Sequence, residues 1–169
     1  MRASDAVETR PGVVALWAAP RSRSTAFFAS MLEHGKVLAL HEPFDNIGDY
    51  GETPVNGSMV HTPDELIATL LALGPTRAVF FKETTDRRHP AVLASVPFLT
   101  GVTHTFLIRH PAEIAASYYA IRPGMKIYEI GLATLYELYQ AVLAVSGHPP
   151  AVIDSADLVA DPAGIMAAY

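Results

Sequence analysis

The chain has no cysteine among its 169 residues, a single tryptophan, and only 17% charged side chains. The missing thiols exclude disulfides, thiolate nucleophiles and cysteine-based metal sites. The scarcity of charge beside a 50% hydrophobic content excludes disorder, which needs low hydrophobicity and high net charge. Twelve basic against seventeen acidic residues leave a net charge of −5, so there is no broad basic surface for nucleic acid. No apolar run approaches the ~20 residues of a membrane-spanning helix. The short run 13–19 follows Asp5 and Glu8, which make a poor start for a signal peptide. The expectation is a cytoplasmic protein with neither membrane nor nucleic acid as partner. The seven histidines show no HxH or HExxH spacing, so no metal site is expected.

What is present is an alternation of strand-like and helix-like segments within one domain of ordinary size. Residues 1–12 read as a flexible leader ending at Pro11-Gly12. Apolar runs predict strands at 13–18, 37–40, 78–81, 103–108 and 151–153. Helical periodicity predicts helices over 24–33, 63–73 (capped by Thr62), from Pro111 onward, and over 131–145. A last short helix starts at Asp161-Pro162. The polar stretch 41–62, with Gly48, Gly51, Pro54 and Gly57, reads as a long irregular loop, a kind of segment that is usually functional or mobile. Strands buried on both faces between helices imply a parallel sheet covered by helices.

In open α/β sheets ligands bind at the carboxyl ends of the strands. Here those ends carry Arg21-Ser22-Arg23-Ser24-Thr25, His41-Glu42, Lys82-Glu83-Thr84 and Arg109-His110. Basic residues thus follow three of four strands in an acidic chain, which points to an anion site. The first of these loops opens a helix, whose free N–H groups and positive dipole end favour a phosphate. A nucleoside-triphosphate loop would read G-x-x-x-x-G-K-[ST]. With Thr25 as its last residue, Ala18, Arg23 and Ser24 stand where Gly, Gly and Lys belong. A Mg-dependent kinase or phosphatase on a similar sheet is therefore the weaker alternative, beside a truncated domain that binds nucleotide without catalysis.

Pro20-Arg21-Ser22-Arg23-Ser24-Thr25 resembles the 5′-phosphosulfate loop of the PAPS-dependent sulfotransferases. A second motif of that family is an Arg at a strand end, Pro two residues on, and Ser eight residues after the Arg with Tyr close behind. It stands here as Arg109-His110-Pro111 with Ser117, Tyr118 and Tyr119. The chain is most similar to bacterial small-molecule members, from about residue 13 to its end. The resemblance implies a P-loop-like three-layer α/β sandwich with a central, mostly parallel sheet. It implies PAPS (3′-phosphoadenosine-5′-phosphosulfate) as co-substrate, no metal, and a small-molecule acceptor bearing a hydroxyl or amine. Family members continue into a C-terminal segment that closes over nucleotide and acceptor, and the domain at 13–169 is expected to lack it.

Residue by residue, the resemblance implies that Arg21, Ser22, Arg23, Ser24 and Thr25 bind the 5′-phosphate, and that Arg109 and Ser117 hold the 3′-phosphate. Arg21 would neutralise charge on the leaving oxygen; Arg23 either helps it or faces solvent. Lys82 sits where it could touch the same oxygen. The expected base is Glu42, which follows strand two and precedes the rigid corner Pro43-Phe44. His41 and Glu83 are its runners-up. Tyr118, Tyr119, Tyr136 and Tyr139 are expected to pack helices. Segments 43–62 and 120–130, with Phe44, Tyr50, Met59, Met125 and Tyr128, are the expected acceptor walls.

Overall fold

The computed structural model describes residues 11–169. The first ten residues of the expected leader lie outside the described residues, and Gly12 already opens the first strand. Strands β1 (Gly12–Ala18), β2 (Leu38–His41), β5 (Ala78–Thr84), β6 (Thr103–Ile108) and β7 (Ala151–Asp154) form one sheet in the order β2-β5-β1-β6-β7. Every neighbouring pair in it is parallel. Strands β3 (Thr53–Val55) and β4 (Ser58–Val60) make a separate antiparallel hairpin.

The helices are α1 (Ser24–His34), α2 (Pro43–Tyr50), α3 (Pro63–Leu73), α4 (Pro90–Ala94), α5 (Val96–Gly101), α6 (Pro111–Tyr119), α7 (Leu132–Ser146), α8 (Ser155–Ala160) and α9 (Pro162–Ala168). The side-chain period of two splits the strands between two cores. Val13, Ala15, Trp17, Val79, Phe81 and Phe106 face one, covered by α2, α3, α5 and α7. Leu16, Ala18, Phe80 and Leu107 face the other, covered by α1, α8 and α9 through Phe27, Leu158 and Ile165. The architecture is the three-layer α/β sandwich that the strand pattern predicts.

The stretch 41–62 is the main departure from the sequence reading. Instead of an irregular loop it holds α2 and the β3–β4 hairpin. Pro43 occupies the first helical turn, and Gly51 ends the helix in the left-handed region at φ 80°, a conformation open to glycine at little cost. The hairpin turns through Asn56-Gly57 at φ 50° and 87°, a two-residue pairing whose positive φ values match strand twist. These signals were in the sequence, but α2 is only 8 residues long, too short to show a helical period.

Trp17 is fully buried, and its indole Nε1–H donates to His104 Nδ1 at 2.9 Å. Nδ1 must therefore be unprotonated, and burial holds His104 down at about 4 against its ordinary 6.5. Between those values the unfolded chain binds the extra proton, so this contribution to stability is complete above pH 6.5 and is lost as pH falls toward 4. It amounts to about 3 kcal/mol at ~1.4 kcal/mol per pH unit. Glu83, described below, acts in the opposite sense over part of this range. The expected result therefore appears as a difference: acidification from pH 7 to 4.5 costs wild type more stability than His104→Gln. Denaturant titrations followed by Trp17 fluorescence check it, and parallel pH profiles for the two proteins would refute it.

Candidate functional site

The sheet has its switch point between β1 and β6. The chain leaving β1 enters α1 on one face, whereas the chain leaving β6 continues through α6 to α7 on the other. The two connections diverge and leave a crevice above the carboxyl ends, where α/β sheets bind ligands. The loop 20–25 lies at this point. Arg21 and Arg23 both adopt left-handed backbone, at φ 63° and 68°. This places Ser24 and Thr25 at the start of α1, and no side chain caps that helix. Its first N–H groups therefore remain for an outside anion. Ser22 between the two arginines is fully buried, and its Oγ has no hydrogen-bond partner among the described residues. A buried hydroxyl without a partner is costly and is accounted for where a ligand completes it.

The second motif lies beside the first. Arg109, at the end of β6, donates from Nη1 to the Arg21 carbonyl at 2.8 Å and from Nε to Glu113 at 2.8 Å. Arg21 Nε in turn donates to Ser117 Oγ at 3.1 Å. Arg21, Arg109 and Ser117 are thus one connected group, although 88 residues separate the first two in sequence. Arg23 is not part of it: its guanidinium donates to the Ser155 carbonyl at 3.3 Å, at the start of α8.

On the other side of β1, β5 runs to Thr84 rather than ending at Phe81. That extension puts Lys82 and Glu83 inside the strand, on opposite faces. Lys82, 2% exposed, pairs its ammonium with the Glu42 carboxylate. The Glu42 backbone N–H also donates to the Lys82 carbonyl at 2.7 Å. Glu42 itself is held at φ 49° before Pro43. His41 lies edge-on to Phe28 and 3.7 Å from Glu42; burial and Lys82 lower its pKa. Glu83 is fully buried beneath α2, accepting from the Phe44 N–H at 2.8 Å and the Thr84 N–H at 3.2 Å. Burial, with Asp45 nearby, pushes its carboxyl well above the ordinary range. Glu83 therefore anchors the first turn of α2 from inside the core.

An open cavity of about 360 Å³ connects the loop after β1 to the Lys82–Glu42 pair, with Arg21, Ser24, Thr25, Glu42, Lys82 and Thr84 in its walls, while Arg109 and Ser117 lie outside its lining. Along α2 it is bordered by Asp45, Asn46, Asp49 and Tyr50, and beyond β5 by Asp86 and Arg87. Tyr118 of α6 and Ile121 just after it close the far side. Both segments expected to form the acceptor walls reach this cavity, 43–62 through Asp45, Asn46, Asp49 and Tyr50 and 120–130 through Ile121, but of the five side chains named for them Tyr50 alone lines it. Phe44 is in the core at 5% exposure, Met125 packs against the core, and Met59 and Tyr128 face solvent. Tyr119 is likewise exposed, whereas Tyr118 packs against the core and Tyr139 packs edge-on to Phe106, with the exposed Tyr136 ring stacked on it.

A family described as sulfotransferase domain matches residues 13–169. The chain belongs to this family. Two solved structures share the fold of the sulfotransferase domain. The sulfotransferase domain from the curacin biosynthetic pathway has a TM-score of 0.56 at 14% identity, over 95% of this chain and 73% of that one. The sulfotransferase domain from the Synechococcus PCC 7002 olefin synthase has a TM-score of 0.54 at 15% identity, over 98% and 74%. Among curated proteins, "Branched-chain-amino-acid aminotransferase-like protein 2" of Arabidopsis thaliana is 30% identical over 166 residues, 89% of this chain. "Branched-chain-amino-acid aminotransferase-like protein 1" of the same plant is 27% identical over 164 residues, 90% of this chain. The chain spans only 28% of the length of each.

The sulfotransferase domain also contains groups that its sequence motifs do not announce. Asp45, Glu83 and His89 bring one donor atom each within 4.8 Å of one another. All three are engaged with the chain itself: Asp45 accepts from Thr84 Oγ1 at 3.0 Å, and His89 Nε2 lies 2.9 Å from the Thr84 carbonyl. No spacing rule foretells this cluster, since its members come from three separate elements. No helix among the described residues is long and apolar enough to cross a membrane.

Proposed function

We propose that this sulfotransferase domain uses PAPS as donor and transfers its sulfuryl group to a hydroxyl, or an amine, of a small-molecule acceptor. The observation that carries this reading is the joining of both family motifs at one crevice, through the Arg109–Arg21 and Arg21–Ser117 hydrogen bonds. The loop 20–25 binds the 5′-phosphate through the uncapped N–H groups of α1 and the hydroxyls of Ser22, Ser24 and Thr25. Arg109 grips the 3′-phosphate with two parallel N–H donors, and Ser117 adds a third. Arg23, tied to Ser155, contributes long-range charge rather than contact.

The transfer is an in-line displacement, in which positioning and charge stabilisation do most of the work. The acceptor oxygen forms a bond to sulfur as the bond from sulfur to the 5′-phosphate oxygen breaks. The electron pair leaves with 3′-phosphoadenosine-5′-phosphate, and the acceptor proton passes to the Glu42 carboxylate. Arg21 and Lys82 stabilise the charge that develops on the leaving oxygen. When Lys82 turns to that oxygen, Glu42 is released from its ion pair and becomes available as the base. Glu83, buried and engaged by two backbone N–H groups, is out of reach of an acceptor.

Calorimetric titration with 3′-phosphoadenosine-5′-phosphate, ADP and ATP–Mg at one salt concentration tests this reading. Selective binding of the 3′-phosphorylated nucleotide is expected. Equal binding of ATP–Mg would overturn it in favour of a kinase-like site.

A further inference from the structure

A second cavity, of about 330 Å³, lies beside the first, and Asp45 and Arg87 line both. Its other walls are Phe44, Ile47 and Gly48 of α2, Pro63 of α3, and Pro90 and Ala91 of α4. The charged and titratable groups around it are already engaged. Asp45 accepts from Thr84 Oγ1 at 3.0 Å, Arg87 pairs with Asp49 at 2.6 Å, Arg88 forks onto Glu137, and His89 Nε2 lies 2.9 Å from the Thr84 carbonyl. What is left to meet a ligand is apolar, with the buried Phe44 and Ile47 at its base. The partition between the two cavities is Arg87. A Cβ on Gly48 would stand 3.3 Å from Arg87 Nη1, so the missing side chain lets the guanidinium cross α2 to Asp49. Both members of that ion pair are half-exposed, and an exposed pair contributes little and opens readily.

Resting on the sulfotransferase reading above, we propose that the acceptor is an alcohol with an extended apolar chain, whose hydroxyl lies beside Glu42 while its far end passes Arg87 into the second cavity. The argument is one of continuity, chemistry and reach. The two cavities share walls, and the donor phosphates belong at the loop after β1, so the acceptor enters from the side of α2. An acceptor that continues past Arg87 meets apolar walls without displacing any hydrogen bond of Asp45, Arg88 or His89. From Glu42, which caps α2, to Gly48 is about 9 Å along the helix. An extended chain covers that span in about seven or eight bonds. The transfer is unchanged: the hydroxyl oxygen bonds to sulfur, its proton goes to Glu42, and the chain takes no part in the chemistry.

The test uses n-butanol and n-octanol, which share the reacting group and differ in whether the chain reaches beyond Gly48. Each is titrated calorimetrically into the protein preloaded with 3′-phosphoadenosine-5′-phosphate, so binding is read without turnover. The octanol is expected to bind at least about tenfold more tightly, since each buried methylene contributes a factor of up to about four. Ala91→Phe fills the second cavity from a half-buried position on α4. It should bring the two affinities within about twofold and leave the butanol unchanged. Ala91→Met, a smaller filling, should fall between. Arg87→Ala removes the partition and not the cavity, so the preference should persist. With PAPS as donor, the octanol should also exceed the butanol in kcat/KM by a like factor, which an apolar pocket unconnected with the reaction would not produce. Equal affinities in the wild type, no binding or no turnover of the octanol, a preference undiminished in both Ala91 variants, or its loss in Arg87→Ala would each overturn the proposal. Failure of the nucleotide to load overturns the donor assignment and this inference with it, whereas normal loading without a chain-length preference overturns this inference alone.

Discussion

Arg109→Glu is expected to abolish binding of 3′-phosphoadenosine-5′-phosphate while leaving the protein folded. The side chain is 16% exposed, and its two hydrogen bonds go to the Arg21 carbonyl and to Glu113. Neither bond holds a core residue, so the fold should survive with Trp17 fluorescence and far-ultraviolet dichroism unchanged. Binding is another matter. If Arg109 holds the 3′-phosphate as proposed, the substitution replaces a bidentate cation with an anion, and loss of one partner of such a pair costs at least about 2–5 kcal/mol. That corresponds to a loss of roughly 30-fold to several thousand-fold in affinity. Arg109→Lys should fall between, because a point charge cannot reproduce the planar fork. Unchanged affinity in Arg109→Glu would remove the 3′-phosphate from this position.

Glu42→Gln should separate binding from transfer. The amide keeps the size and can still accept a hydrogen bond from Lys82, so nucleotide binding is expected to be retained. An amide takes no proton, so transfer should fall by about 10²–10⁴-fold, the range of a general base. The measurement is release of 3′-phosphoadenosine-5′-phosphate from PAPS in the presence of a mixed panel of small alcohols, phenols and amines. A wild-type rate would shift the base to His41, the other titratable neighbour, 3.7 Å from Glu42. Glu83 does not inherit the role, because its carboxyl is locked under α2 by the Phe44 and Thr84 N–H groups.

Neighbouring residues were not equally easy to read. The run Lys82-Glu83-Thr84 looks from sequence like three polar residues after a strand. Because β5 continues through all three, the pleat sends Lys82 to the cavity and Glu83 into the core. A polar residue at a strand end and a polar residue buried within the strand look alike in a linear sequence, because burial depends on what covers the position. Here the cover is α2, an element whose short span showed no period. The same blindness hid His104, which sits in β6 as an acceptor for Trp17.

What the sequence determined by itself was local and periodic. Apolar runs defined the central strands, Thr62 capped α3 through the Glu65 N–H as expected, and the two motifs fell on strand–helix junctions. Each of those features involves residues within about ten positions of one another, where backbone geometry and side-chain type leave few alternatives. The tertiary structure alone decided which of the polar residues meet. The parallel order β2-β5-β1-β6-β7 brings Arg109 onto Arg21, sets Lys82 against Glu42, and gathers the carboxylates on the opposite side. These partners are separated by tens of residues, and their meeting depends on packing of the whole domain, because charge and hydrogen bonding act over a few ångströms of space rather than along the chain.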